Sequence, residues 1–125
     1  MPTKKNEILN VQPHSKDAEQ AVLGSMLSDK NSVNKVFEKK LSSEHFYKKS
    51  HALIFAAMEI LDKKNEPIDT VSVVDVLTKN NDLETVGGAY YISGLVEFVP
   101  TTAHVARYIK IVMEKSILRN LIYLA

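Results

Sequence analysis

Cysteine is absent from the 125-residue chain. That excludes a disulfide framework, a thiolate metal site and a cysteine nucleophile. Four glycines and four prolines are too few for a turn-rich all-β fold. A charge of one sign is missing as well, since sixteen basic and fifteen acidic side chains leave a net +1. A domain whose main task is gripping phosphates carries a larger and more clustered positive excess. The pairs Lys4-Lys5, Lys39-Lys40, Lys48-Lys49 and Lys63-Lys64 are scattered among acids and read as solvated helix faces. No apolar run approaches the ~20 residues that span a bilayer. The start, Met1 to Glu7, lacks the apolar stretch of a signal peptide. These absences lead to the expectation of a soluble, cytoplasmic protein with no membrane partner.

What is present suits one globular domain, with 45% hydrophobic and 25% charged residues. Residues 1–12 are polar apart from Ile8, Leu9 and Val11, and are expected to form a flexible arm. After Pro13, Asp17 with Gln20 three positions on has the form of a capping box. Ala18, Ala21, Val22, Ser25 and Met26 then recur at helical spacing. Asp29 to Ser32 interrupts this helix and offers caps for a second one carrying Val33, Val36 and Phe37. Ser50 is the expected cap of a third helix, 51–64, with Leu53, Ile54, Ala57, Met58 and Leu61 on one face, and Pro67 lies beyond its end. Val71 to Leu77 is β-branched enough to propose a strand. Asp69 or Thr70 makes a good helix cap, however, and Ile68, Val71, Val74 and Leu77 recur at helical spacing, so the segment is read as a helix. Gly87-Gly88 punctuates a turn, Ala89 to Val99 forms the next helix, Pro100 closes it, and Thr101 or Thr102 caps the last. The predicted fold is all-α, a compact bundle of about six helices, divided into an arm (1–12), a helical head (13–100) and a long helix (101–125).

Taken together, these segments resemble the N-terminal domain of the DnaB family of replicative DNA helicases. The resemblance runs from Pro13-His14-Ser15 and Ala18-Glu19-Gln20-Ala21-Val22-Leu23-Gly24 through Glu44-His45-Phe46-Tyr47, His51 and Ile54-Phe55. It continues in Pro67-Ile68-Asp69, Leu83 to Val86 with Gly87-Gly88 and Tyr91-Ile92, then Tyr108 to Val112 and Ile117-Leu118-Arg119. It covers residues 13–125, with Gln12 standing where relatives often carry a second proline. The resemblance implies a non-catalytic collar that joins a hexameric ring as three dimers through a helical hairpin and offers a docking surface to primase. It also implies a chain ending before the family's linker and motor domain, to which ATP, magnesium and the DNA contacts belong.

Little chemistry is visible in the residues themselves. A phosphate-binding P-loop requires Gly-x-x-x-x-Gly-Lys-Ser/Thr, and none of Gly24, Gly87, Gly88 or Gly94 is followed by lysine. His45 and His51 are six apart, the wrong spacing for a helical zinc pair. His51 is read as structural or surface, and Asp17, Glu19, Asp69 and Asp75 as caps and solvated positions. No catalytic, cofactor or metal residue is therefore expected. The alternative is a stand-alone helical DNA-binding module. It lacks an arginine-rich recognition helix, and tight, steeply salt-dependent binding of DNA would favour it.

The last helix carries the one candidate site. At ~100° per residue, Val105, Tyr108, Ile109, Val112 and Met113 share one side, opposite Arg107, Lys110 and Glu114. After Glu114 the sides exchange. Ile117, Leu118, Leu121 and Ile122, joined by Ile111, continue the direction of Arg107 and Glu114, while Lys115, Ser116, Arg119 and Asn120 take the earlier apolar side. Tyr123 returns to that earlier side and Leu124 falls on the border. Such a helix needs two neighbours, its own core first and then another surface. Ile111, Ile117, Leu118, Leu121 and Ile122 are the candidate interface.

Overall fold

A computed structural model describes residues 11–99 and 101–124, with side chains as far as Ile122 in the last helix. Residues 1–10 of the expected arm (1–12), the closing role of Pro100 and the faces of Tyr123 and Leu124 lie outside what it describes. Among the described residues there are six α-helices and no strand: α1 (Lys16–Ser28), α2 (Lys30–Glu38), α3 (Lys49–Lys63), α4 (Thr70–Lys79), α5 (Gly88–Phe98) and α6 (Val105–Leu124). A 3-10 turn, Ser43–His45, precedes α3. The all-α reading holds, including the β-branched segment that became α4.

That segment is helical because its start is strongly specified. Asp69 accepts from the Ser72 N–H at 2.8 Å, and the Ser72 hydroxyl accepts from the Asp69 N–H at 3.0 Å, a reciprocal cap that removes two unsatisfied donors. The buried face is turned from the one expected. Val73 and Leu77 enter the core, with Val74 beside them, while Val71 is exposed.

Two other caps also differ from expectation. The cap of α1 is Ser15, whose Oγ accepts from the Ala18 N–H at 3.1 Å, and Asp17 stands exposed inside the first turn. Helix α3 begins at Lys49, and no side chain of its own caps it. Asp29 serves twice. Its N–H bonds the Ser25 carbonyl at the end of α1, and its carboxylate accepts from the Asn31 N–H at the start of α2. That backbone donor, foremost, holds the Asp29 carboxyl below its usual range. Helices α2, α3 and α4 all end with a left-handed residue, Lys40, Asn65 and Asn81. In each, the next N–H reaches back across the last turn: Leu41 to Val36, Glu66 to Leu61 and Asp82 to Leu77, the pattern of a Schellman stop.

The hub is α1, which packs against α2, α3, α5 and α6. Ala21 through Leu27 are buried without interruption, so this helix is enclosed nearly all round rather than lying on a surface. Around it gather Ile54, Phe55, Met58 and Leu61 from α3, Ile92 and Leu95 from α5, and Val105, Ile109 and Val112 from α6. Each large side chain so buried contributes roughly 1.5–3 kcal/mol.

The crossing of α1 and α5 requires a glycine. A Cβ on Gly24 would stand 2.2 Å from the Leu95 carbonyl oxygen and 2.7 Å from Val99 Cγ2. The first of these is backbone and cannot turn aside. Gly24→Ala is therefore expected to destabilise the domain by about 1–3 kcal/mol, despite the ~1 kcal/mol that alanine gains in helix propensity. Thermal unfolding followed by circular dichroism should show Tm lowered by roughly 5–15 °C. An unchanged or raised Tm would mean that the two helices do not approach this closely.

Candidate interface and the polar cluster behind it

The connection from the 3-10 turn to α3 lacks a local cap because a carboxylate from α1 takes that place. Glu19 is only 1% exposed. Its Oε2 accepts from the Tyr47 N–H at 2.7 Å, and its Oε1 accepts from the Lys48 N–H at 3.4 Å and from His51 Nδ1 at 2.7 Å. An anion at this end of α3 also meets the positive end of the helix dipole. His51 is fully buried, and its Nε2 meets the Tyr91 hydroxyl of α5, which accepts in turn from Gln20 Nε2 at 3.2 Å. One consistent proton arrangement satisfies every member: Gln20 donates to Tyr91, Tyr91 to His51, and His51 to Glu19.

Carboxylate, imidazole and hydroxyl stand in the order of a hydrolytic triad, but the imidazole and the carboxylate are sealed inside. The cluster fastens α1, α3 and α5 together. Of the expectation that Glu19 is a cap or a solvated position, the second half is corrected, since Glu19 is buried, and the cap it provides belongs to another helix, through three donors from another part of the chain. The available signal was slight: Glu19 stands in the first turn of α1 on the same side as Val22, Leu23 and Met26.

Arginine 119 extends the cluster to α6. Its Nη1 donates to the Pro13 carbonyl and its Nη2 to the His45 carbonyl, each at 2.8 Å. The guanidinium lies 5.4 Å from the centroid of the Tyr47 ring, within cation–π range. His14 stacks against the same ring at 4.2 Å. Burial pulls the Arg119 pKa below its ordinary value, opposed by the Glu19 charge and by Tyr47, and the group stays charged at neutral pH. The side of α6 that carries Val105, Ile109 and Val112 therefore continues inward through Ser116 and Arg119, and only its chemistry changes from apolar to polar. This buried position also removes one of the two arginines available to a DNA-reading helix.

The opposite side of α6 holds most of the candidate interface. Ile117, Leu118, Leu121 and Ile122 are 58%, 43%, 58% and 55% exposed. They follow one another along the last turns, directly outside Ser116 and Arg119. Ile111 does not join them. It is half-buried against the core and, with Ser15, Asp17, Ala18, Phe98 and Tyr108, lines a cavity of about 290 Å³ between α1, α5 and α6. Of the other sequence candidates, Gly87 and Gly88 adopt positive φ angles of 105° and 78° and form the tight turn into α5. Among the described residues, no group of three His, Cys, Asp or Glu side chains is placed to hold a metal ion. No helix among them is long and apolar enough to cross a membrane.

Comparison with known proteins agrees with this architecture. The family described as the DnaB-like helicase N terminal domain matches residues 11–114. The replicative DNA helicase DnaB of Geobacillus stearothermophilus is 43% identical over 112 residues, 90% of this chain and 24% of that protein. The replicative DNA helicase DnaC of Bacillus subtilis is 42% identical over 110 residues, 88% of this chain and 24% of that protein. The chain thus spans about a quarter of the length of these relatives. The crystal structure of the N-terminal domain of DnaB helicase from Mycobacterium tuberculosis superimposes with a TM-score of 0.86 at 37% identity, over 90% of this chain and 78% of that one. With a matching family profile, relatives near 40% identity and a shared fold, the chain belongs to the DnaB-like helicase N-terminal domain family.

Proposed function

We propose that these residues act as the non-catalytic collar of a hexameric, ATP-dependent replicative DNA helicase at the cytoplasmic replication fork. The collar supports ring assembly by pairing with a second copy, as a dimer within a trimer of dimers, and offers a docking surface to primase. Nucleotide hydrolysis, with its ATP and magnesium, and the grip on DNA belong to a motor domain outside these residues. The likeness to replicative helicases supports the parent activity. The observation that carries the collar reading is the strip Ile117, Leu118, Leu121 and Ile122, four large aliphatic side chains left uncovered together at one end of one helix, where α4 leaves only Val71 exposed. Single exposed apolar residues are ordinary on protein surfaces, whereas a contiguous strip marks an interaction site.

The test is self-association. Sedimentation equilibrium across a range of concentrations should show the parent chain associating, and Leu118→Asp/Leu121→Asp should be weakened at least about a hundredfold. That figure allows for the ordering and docking costs that consume much of ~1.5–3 kcal/mol per buried leucine. Circular dichroism of the variant should remain that of the folded head. A parent that stays monomeric at high concentration, or a variant that associates equally well, overturns the reading.

A further inference from the structure

Between Val112 and Ile122, the buried side chains of α6 are Ser116 and Arg119. Met113 is partly buried against the core, but every large apolar side chain from Ile117 to Ile122 faces outward. The last described turns are therefore not held to the head by hydrophobic packing. What holds them is a guanidinium whose two terminal nitrogens bind two backbone carbonyls, Pro13 before α1 and His45 at the end of the 3-10 turn. Those carbonyls belong to segments 32 residues apart in sequence, joined at this point by the His14–Tyr47 stack beneath the same guanidinium. The Tyr47 N–H is fixed in turn by Glu19. A fork anchored at two points and seated on a ring determines direction as well as distance, which a single contact cannot do.

We propose that Arg119 is the positioning residue of the α6 interface: by clamping Pro13 and His45 it fixes the angle at which Ile117, Leu118, Leu121 and Ile122 are presented to a second copy of the chain. This rests on the reading of α6 as a self-association surface. Arg119 is flanked by the strip residue Leu118 and lies two positions before Ile117 is repeated by Leu121 on the outer side, so the residue that sets the direction sits behind the residues that make the contact. With the clamp removed, the outer half of α6 loses its fixed angle. A partner must then select one orientation from many, and association weakens although no contacting side chain has changed.

The lack of cysteine makes a direct test simple. Spin labels on Lys63→Cys, at the end of α3, and Asn120→Cys, on the exposed side of α6, report the angle of the helix as a distance distribution. Diluting labelled chain with unlabelled chain keeps the reading within one molecule. Arg119→Met should broaden that distribution and weaken self-association about tenfold, one charge-assisted hydrogen bond's worth of preorganisation, with a helical spectrum like that of the parent. Arg119→Lys keeps the charge and the stem but lacks the fork, and should behave as the methionine variant does. It also serves as the test if Arg119→Met does not fold. A residue that contributed only stability would lower Tm and leave both the distance and the association of the folded protein unchanged. Parent-like distances and association in both Arg119 variants, with Leu118→Asp/Leu121→Asp still disrupting the dimer, would overturn the positioning role alone. No effect of the leucine pair on association would overturn the interface reading beneath it.

Discussion

Glu19→Ala is expected to destabilise the head by about 3–5 kcal/mol, the range for removing one partner of a buried, hydrogen-bonded charge. The physical reason is the three donors that Glu19 alone satisfies: the N–H groups of Tyr47 and Lys48 and the Nδ1 of His51. Alanine leaves all three facing a void that is closed to solvent. Each unsatisfied donor costs roughly 1–3 kcal/mol, and the missing side chain adds a cavity. Glu19→Gln separates charge from shape. Its amide oxygen can still accept, but its NH2 would point at donors, so it should lie between the parent and alanine. Urea denaturation followed by circular dichroism measures both. In amide exchange, Tyr47 and Lys48 should lose protection before α3 does, because their acceptor has gone. A Glu19→Ala variant within 1 kcal/mol of the parent would show that the cluster is dispensable.

Most of the fold was legible because its signals are local. Helical spacing, the cap offered by Asp69 or Thr70, Asp29 between two helices and Gly87-Gly88 each specify a short stretch by themselves. The cluster was not legible for the opposite reason. Glu19 is joined to His51 across 32 positions and Arg119 to Pro13 across 106, and neither separation leaves a periodic trace. The same gap explains the cap expected at Ser50, since no nearby residue performs a role that Glu19 fills from α1. Arg119 had one sign that spacing alone could supply. It follows Val105 and Val112 at intervals of seven, on the inward side, where a charge needs partners. The exchange of faces along α6 was read as a need for two neighbours. What escaped was that the inward side stays buried after Val112, with polar groups in place of apolar ones. Ile111 was set with the outer strip because it lies between the two faces by angle, and α1 and α5 decide its side by reaching far enough round the helix to cover it.

The sharpest contrast lies within α6 itself. Ile109→Asp/Val112→Asp is expected to unfold the domain outright, although it makes the same chemical change as the leucine pair on the same helix. Ile109 and Val112 are each 2% exposed and belong to the core gathered around α1. Replacing them removes roughly 1.5–3 kcal/mol of burial apiece and places two carboxylates where the neighbouring side chains are apolar. Burying an unpaired charge costs several kcal/mol more for each group. The sum reaches or exceeds the ~5–15 kcal/mol that holds a domain of this size together. Leu118 and Leu121 stand only nine positions further along, ~13 Å at 1.5 Å per residue, yet they face solvent in the single chain. Charging them removes nothing from the head. Circular dichroism should therefore show the Ile109/Val112 variant without its cooperative transition, and the Leu118/Leu121 variant with a transition near that of the parent. Lowering the pH should restore part of the helical signal in the first variant, because protonation removes the charge that its core cannot hold. If the Ile109/Val112 variant melts as the parent does, the inward face of α6 has been assigned wrongly. If the two variants unfold alike, the helix has a single neighbour, and the strip beyond Glu114 belongs to the head's own core.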